Sequence, residues 1–309
     1  MNHEQEANQH VDSMRIYLPY QFDISTMYGF INDVIDNKFL PRNNNIILDF
    51  TKLKFIRPSG VTILSNIVQW LIIRGVRVTF TYPGDFEHQN NPVKFLDDSD
   101  FFSIFSKKKL SQSSRPRTTT IPLKLVKYDE SYGWIENNLI FWLMQRLSLS
   151  KGALSNIKVC FAEIFNNIKD HSQNNIGCVF GQHFPGEHVV QIAISDFGVG
   201  IPHNVKKILP NLDDSNALLK ATEEGFSTKS NIRNAGAGLD ILIHNVALQN
   251  RGILSIYSNC GAIQCNYDNG NIAKTMLQVQ GYYPGTLIYV ELRTDTIIQD
   301  DDDSEEFEW

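Results

Sequence analysis

Residues 194–202 read ISDFGVGIP, and this short stretch is the most informative about the fold. An apolar strand pattern ends at Asp196, and Gly198 and Gly200 follow at a spacing that allows the backbone to turn tightly. The Asp196 carboxylate therefore lies beside two glycines, whose lack of side chains leaves room for a flat ligand. A plain strand-to-turn Asp-x-Gly is the alternative, and the longer pattern D-x-G-x-G-I-P favours a binding site.

A helical pattern precedes this strand, and residues 161–171 read FAEIFNNIKDH. Glu163 and Asn167 are four residues apart, so both side chains point from one helix face into one space. A carboxylate and an amide oxygen in such a space suit a hard cation and an attacking water. Taken alone, the pair is more typical of an exposed helix face, and the glycine motifs that follow favour a site.

Two further segments follow the strand. Residues 223–242 read EEGFSTKSNIRNAGAGLDIL, in which Gly236 and Gly238 precede a helical pattern and leave backbone N–H groups free for a phosphate. Residues 285–292 read GTLIYVEL, a strand pattern that opens on a Gly-Thr pair. A β-branched residue at the start of a strand explains the threonine equally well.

In this order, the four segments resemble the nucleotide-binding domain of the GHKL superfamily, which includes gyrase-type ATPases, Hsp90, MutL, histidine kinases and anti-sigma serine kinases. The resemblance extends from about Thr120 to Thr294. It implies an α/β fold of the Bergerat type, in which a helix layer covers a mixed, mostly antiparallel sheet. It also implies ATP and Mg²⁺ as cofactors.

The resemblance implies a role for each site residue. Asn167 would ligate Mg²⁺, and Glu163 would act as the catalytic general base. Asp196 would accept a hydrogen bond from the adenine amino group, which guanine lacks at that position. Lys229 would approach the terminal phosphate, although a solvated loop lysine is an equal alternative. The other cofactor-binding positions are Gly198, Gly200, Gly236, Gly238 and Thr286.

The first half of the chain alternates strand and helix signals, which predicts a small sheet covered by helices. Residues 48–64 read LDFTKLKFIRPSGVTIL and resemble the STAS domain, in which a phosphoacceptor serine directly precedes a glycine. Ser59 and Gly60 match that pair. Arg57 and Pro58 depart from the usual pattern, however, so we expect Ser59 to cap the helix that follows.

These signals divide the chain into five parts. We predict a polar N-terminal segment (1–14), a STAS-like domain (15–106), a linker (107–120), an ATP-binding domain (121–296) and an acidic tail (297–309). Seven of the 34 acidic residues lie in the last ten positions, so the remaining chain has 27 acids against 28 bases. Because this remaining part of the chain is nearly neutral, it lacks the positive electrostatic field of nucleic-acid-binding proteins. Nucleic acid is therefore not an expected partner.

The polar start and the absence of a long apolar run predict no secretory signal and no membrane span, and hence a cytoplasmic protein. The four cysteines have no zinc-ligand spacing, and we expect reduced, mostly buried thiols. The acidic tail is expected to be disordered and dispensable for ATP binding.

The predicted function is a magnesium-dependent, ATP-hydrolysing regulatory switch, whose state the STAS-like domain or a protein partner reads. Homodimer formation is compatible with it. Two alternatives stay open at this point. One is a serine/threonine kinase of the anti-sigma type that acts on a STAS-domain partner, and the other is a non-catalytic adaptor that nucleotide stabilises. Whether the chain is an enzyme is therefore also open.

Overall fold

The computed structural model of the chain describes residues 12–171, 176–226 and 239–297. Lys229, Gly236, Gly238 and the acidic tail after residue 297 lie outside these ranges. No helix within them is both long and apolar enough to cross a membrane.

The first half of the chain forms a three-stranded parallel sheet in the order β1-β3-β5. A short parallel pair, β2 with β4, lies beside it. Helices connect the strands, as the alternating pattern predicts. The elements are β1 (Met14–Tyr17), β2 (Gln21–Phe22), α1 (Met27–Val34), β3 (Asn45–Asp49), β4 (Phe55–Ile56), α2 (Pro58–Ile73), β5 (Arg77–Thr81), α3 (Pro92–Asp98) and α4 (Phe101–Ser106).

The second half forms a seven-stranded sheet in the order β11-β10-β9-β12-β8-β7-β6. Every neighbouring pair is antiparallel, so the predicted α/β fold is confirmed with a fully antiparallel sheet. Two π-helical segments, Ile135–Ile140 and His244–Gln249, extend the helices before them. The elements are β6 (Thr120–Lys127), α5 (Tyr128–Trp134), α6 (Phe141–Leu147), α7 (Ser155–His171), β7 (Ile176–Phe184), β8 (Val189–Asp196), α8 (Ile201–Lys206), α9 (Asp214–Ala221), α10 (Leu239–Ile243), β9 (Ile253–Asn259), β10 (Gly261–Asp268), β11 (Asn271–Met276) and β12 (Tyr283–Arg293).

Both faces of the seven-stranded sheet are covered, each by a different half of the chain. Ile192 and Ile194 of β8 belong to the core beneath α7 and α10, whereas Ala193 belongs to the core shared with α2. This alternation follows from the pleat of a strand. It explains why all eight residues of β8 are buried. The sequence predicted a helix layer on one face, and the first half of the chain covers the other.

Helix α2 is buried from Pro58 to Val68 without interruption, because it lies between the two sheets. A helix with apolar residues on every side is typical of such a position. Its contacts hold the two halves of the chain together through a continuous hydrophobic core.

The stretch predicted as a linker is irregular but anchored. The carboxylate of Asp97 accepts hydrogen bonds from Leu110 N and Ser111 N, both at 2.9 Å, and from Ser114 Oγ at 2.5 Å. These bonds fix the segment against α3. Residues after 107 therefore connect the two halves along a defined path.

The predicted role of Ser59 as a helix cap is wrong. Helix α2 begins at Pro58, two residues earlier than a cap at Ser59 requires, and Arg57 occupies the N-cap position. Proline suits the first position of a helix because the missing N–H has no partner there in any case. Ser59 is consequently inside the helix, where its side chain is 1% exposed.

All four cysteines are free thiols, as predicted. Three of them are buried, and burial raises the pKa of Cys160 and Cys265 to about 11 and that of Cys178 to about 12. Cys260 is exposed. The three buried thiols are therefore protonated at neutral pH and pack as small apolar groups.

Candidate functional site

One edge of the seven-stranded sheet gathers several residues that the sequence predicted for the site. Strand β8 ends there at Asp196, which lies directly opposite Thr286 at the start of β12. Thr286 in turn lies opposite Ser258 near the end of β9. We call this region the site edge, which comprises residues 196–200, 258–259 and 283–286.

Asp196 is the most unusual group at the site edge. Its side chain is 2% exposed, and its Oδ1 accepts a hydrogen bond of 2.6 Å from Gly198 N. No lysine or arginine of the described ranges forms an ion pair with it. Burial raises the pKa of Asp196 to about 7, and the hydrogen bond from Gly198 opposes that rise. A buried carboxyl group with so little compensation is unfavourable for folding and typical of functional sites.

Asp196 faces the helix layer. The core beneath this layer includes Ile192 and Ile194, and strand alternation places Asp196 on the same side. Ser195 points to the opposite side, toward α2. The carboxyl group and α7 therefore lie on the same face of the sheet.

Two glycines at the site edge are required by geometry. Gly200 has φ +82°, and a Cβ there would lie 2.5 Å from Asn259 Oδ1. Gly285 has φ +99°, and a Cβ there would lie 2.3 Å from the backbone oxygen of Asp196. Positive φ and close backbone approach both exclude larger residues. The strands therefore meet here more tightly than side chains would permit.

Ser258 is a residue of the site edge that sequence reasoning missed. Its hydroxyl donates to Gly285 O at 2.7 Å and accepts from Ile201 N at 3.0 Å. Its oxygen also lies 3.1 Å from Thr286 Oγ1. Because Ser258 has a single hydroxyl hydrogen, Thr286 must be the donor of that bond. A serine within an apolar strand gives no signal of this role in the sequence.

Helix α7 carries Glu163 and Asn167. It packs on the sheet through Phe161, Ile164 and Phe165, and Glu163 lies beside this apolar stripe with a half-buried side chain. The backbone of Asn167 belongs to α7, whereas its side chain lies outside what the structure describes.

The topology brings the end of α7 to the site edge. Helix α7 ends at His171, and only residues 172–175 separate it from β7. The first residues of β7 pair with the end of β8, because Cys178 lies opposite Ser195. The intervening residues span at most about 18 Å. His171 at the end of α7 therefore lies within about 18 Å of Ile176, which begins β7 at the same end of the sheet as Asp196, and Asn167 lies about one turn before His171.

A dedicated metal cage is absent from the described parts of the chain. Within residues 12–171, 176–226 and 239–297, no group of three or more His, Cys, Asp or Glu side chains could hold a metal ion. Magnesium bound together with a nucleotide usually needs only one or two protein oxygens beside the phosphates. Of the two residues of α7 that the sequence predicts for such a site, the structure describes the side chain of Glu163 but not that of Asn167.

Two cavities lie away from the site edge. One, of about 250 Å³, is located at the far end of the helix layer between the first turns of α7 and the segment 245–250. The other, of about 290 Å³, lies beside β4 and is bordered by Lys54, Phe95 and Arg117. Neither is lined by Asp196 or Thr286.

Comparison with known proteins gives limited information. No protein-family model matches the chain, and no curated protein sequence matches it. Among solved structures, the chain is similar to the crystal structure of the B-subunit of the DNA gyrase from Myxococcus xanthus, with 12% identity and a TM-score of 0.21. The match covers 37% of this chain and 32% of that chain. A likeness at this level says nothing about activity.

Proposed function

We propose that the chain is an ATP-binding protein of the GHKL type, which binds nucleotide at the site edge and hydrolyses it. The observation that carries this proposal is the buried carboxyl group of Asp196 at the end of β8, which accepts a hydrogen bond from Gly198 N and has a raised pKa. The order of the four motifs and the antiparallel sheet under a helix layer support it.

In this proposal, each residue has a distinct task. The carboxylate of Asp196 accepts a hydrogen bond from the adenine amino group, and Gly198 N–H holds that carboxylate in place. Asn167 holds Mg²⁺, which neutralises phosphate charge when bound. Glu163 accepts the proton of the attacking water. Lys229 and the backbone at Gly236 and Gly238 contact the phosphates.

The pH dependence of ATP affinity tests the role of Asp196. Only the ionised carboxylate can accept from the adenine amino group with both oxygens, and the pKa of the free protein is about 7. Affinity is therefore expected to be constant above about pH 8 and to fall below pH 7, by up to about tenfold per pH unit, toward the affinity of a neutral side chain at this position. Isothermal titration calorimetry between pH 5 and 9 at constant ionic strength measures this.

Asp196→Asn is the matched control, because it keeps the size of the side chain and cannot titrate. It should weaken ATP binding by about 1–3 kcal/mol at pH 8, as expected for a charge-assisted hydrogen bond lost in a buried site. Its remaining pH dependence reports the titration of the nucleotide phosphates alone. Identical pH profiles for the two proteins would exclude Asp196 from the binding site.

The acceptor of the phosphoryl group separates hydrolysis from the kinase alternative. Ser59, which matches the STAS phosphoacceptor, is 1% exposed inside α2, so we propose water as the acceptor. Incubation with γ-labelled ATP and Mg²⁺ should release free phosphate from the protein alone, whereas a labelled protein, alone or with cell lysate, would indicate a kinase. Stoichiometric phosphate on Ser59 in peptide mass spectra, absent from Glu163→Gln, would instead establish a kinase acting on its own chain.

A further inference from the structure

Helix α2 runs along β8 in register with it. About four residues of an α-helix advance 6 Å along its axis, close to the advance of two residues of a strand. Every second residue of β8 and of the turn after it points toward α2. Each of these residues therefore contacts a side chain of α2 that lies about one helical turn beyond the previous contact. The contacts are Arg57 with Gln191 (3.5 Å), Thr62 with Ala193 O (3.2 Å), Asn66 with Ser195 (2.5 Å) and the rings of Trp70 with Phe197 (6.3 Å between centroids).

The third contact closes a buried hydrogen-bond network next to Asp196. Asn66 Nδ2 donates to Ser195 Oγ at 2.5 Å, and Ser195 Oγ donates to Thr286 O at 2.9 Å. Ser195 has no second hydrogen, so the hydroxyl of Tyr283 must donate to Ser195 Oγ over 2.6 Å. Burial raises the pKa of Tyr283 and keeps that donor protonated. Every hydrogen-bonding position of Ser195 is thus used.

This network joins the two strands that meet at the site edge. Ser195 directly precedes Asp196, and its bond to Thr286 O holds the residue that lies opposite Asp196 on β12. Asn66 is 6% exposed and is the member of the network that comes from the first half of the chain. Buried networks of this kind fix strand positions because an unpaired member would be costly.

We propose that Asn66 is a positioning residue for the nucleotide site. Through Ser195 it fixes the end of β8, and with it the direction of the Asp196 carboxylate, so that the first half of the chain sets the affinity for ATP. This inference rests on the proposed function. It assigns to α2 a role at the site in addition to its role in the core.

Asn66→Leu tests the proposal, because leucine has a similar volume and no donor. Thr62→Val is the matched control. It lies on the same face of α2 and removes a hydrogen bond to the same strand, but one that ends at Ala193, three residues before Asp196. Both variants should lower the melting temperature by a similar amount. ATP affinity at pH 8 should fall by about tenfold in Asn66→Leu and by less than twofold in Thr62→Val.

A double variant shows whether Asn66 acts through Ser195. Ser195→Ala should weaken ATP binding by about tenfold, and adding Asn66→Leu should weaken it no further. If Asn66→Leu does not fold, Asn66→Ala, which also removes the donor, takes its place in the comparison with Thr62→Val. If the wild-type protein binds ATP, either of two results would overturn the proposal: equal ATP affinities in the Asn66 and Thr62 variants, or additive losses in the double variant. If the wild-type protein binds no ATP, the proposed function fails first, and this inference fails with it.

Discussion

Glu163→Gln is expected to bind ATP with nearly wild-type affinity and to lose turnover by a factor of about 100 to 10,000, the usual contribution of a general base. The glutamine keeps the size of the side chain and removes the proton acceptor. Phosphate release under single-turnover conditions measures the loss, and calorimetry measures the retained binding. Glu130→Gln, an exposed carboxylate on α5, is the control and should leave both unchanged.

Asn167→Ala should impair nucleotide binding, whereas Glu163→Gln should impair turnover. The loss of a magnesium ligand is expected to abolish Mg²⁺-dependent nucleotide binding, whereas the loss of a base leaves binding intact. Full turnover in Glu163→Gln would assign the base to another residue. Glu224, which follows α9, would be tested next, because the neighbouring Glu223 is already paired with Lys220 at 2.5 Å.

Gly285→Ala is expected to abolish ATP binding and to destabilise the fold by clearly more than a positive φ alone would cause. The added Cβ would lie 2.3 Å from Asp196 O and 2.6 Å from Gly198 N, so the turn that carries the carboxyl group must move. A left-handed conformation costs a non-glycine residue about 1–2 kcal/mol. The clash with two backbone atoms adds to that penalty.

Gly270→Ala separates the two contributions. Gly270 has φ +88°, similar to Gly285, but a Cβ there would meet no atom within 4 Å. This variant should therefore show the conformational penalty alone, with unchanged ATP affinity. Urea denaturation gives the free energies of unfolding of both variants, and calorimetry gives their affinities. If the two glycine variants lost equal stability and both bound ATP normally, the tight junction at Gly285 would have no part in the site.

The sequence predicted the parts of the site that are local in the chain. The D-x-G-x-G pattern placed Asp196 at the end of a strand, and the strand occurs there because Val189 to Ser195 is almost entirely apolar. The strand pattern that opens on Gly285 and Thr286 lies within β12, which begins two residues earlier at Tyr283.

The arrangement of the two halves could not be predicted in the same way. The apolar character of α2 on every side indicates burial, but it does not indicate which surface covers each side. Asn66 and Ser195 are 129 positions apart; Asn66 belongs to no motif, and Ser195 lies within ISDFGVGIP, where the pattern assigns it no role. Asn66 is one of several polar residues in a mostly apolar helix, beside Thr62 and Ser65, so the sequence does not single it out. Its partner is determined only when the sheets pack.

Calorimetric titration of the wild-type protein with ATP and with GTP, in the presence of Mg²⁺ at pH 8, tests the central claim most directly. We expect saturable ATP binding at one site per chain, at least tenfold tighter than GTP binding, because the buried carboxylate of Asp196 would accept from the 6-amino group of adenine, where guanine has a carbonyl. Equal affinities for ATP and GTP, or no heat of binding with millimolar ATP, would contradict it.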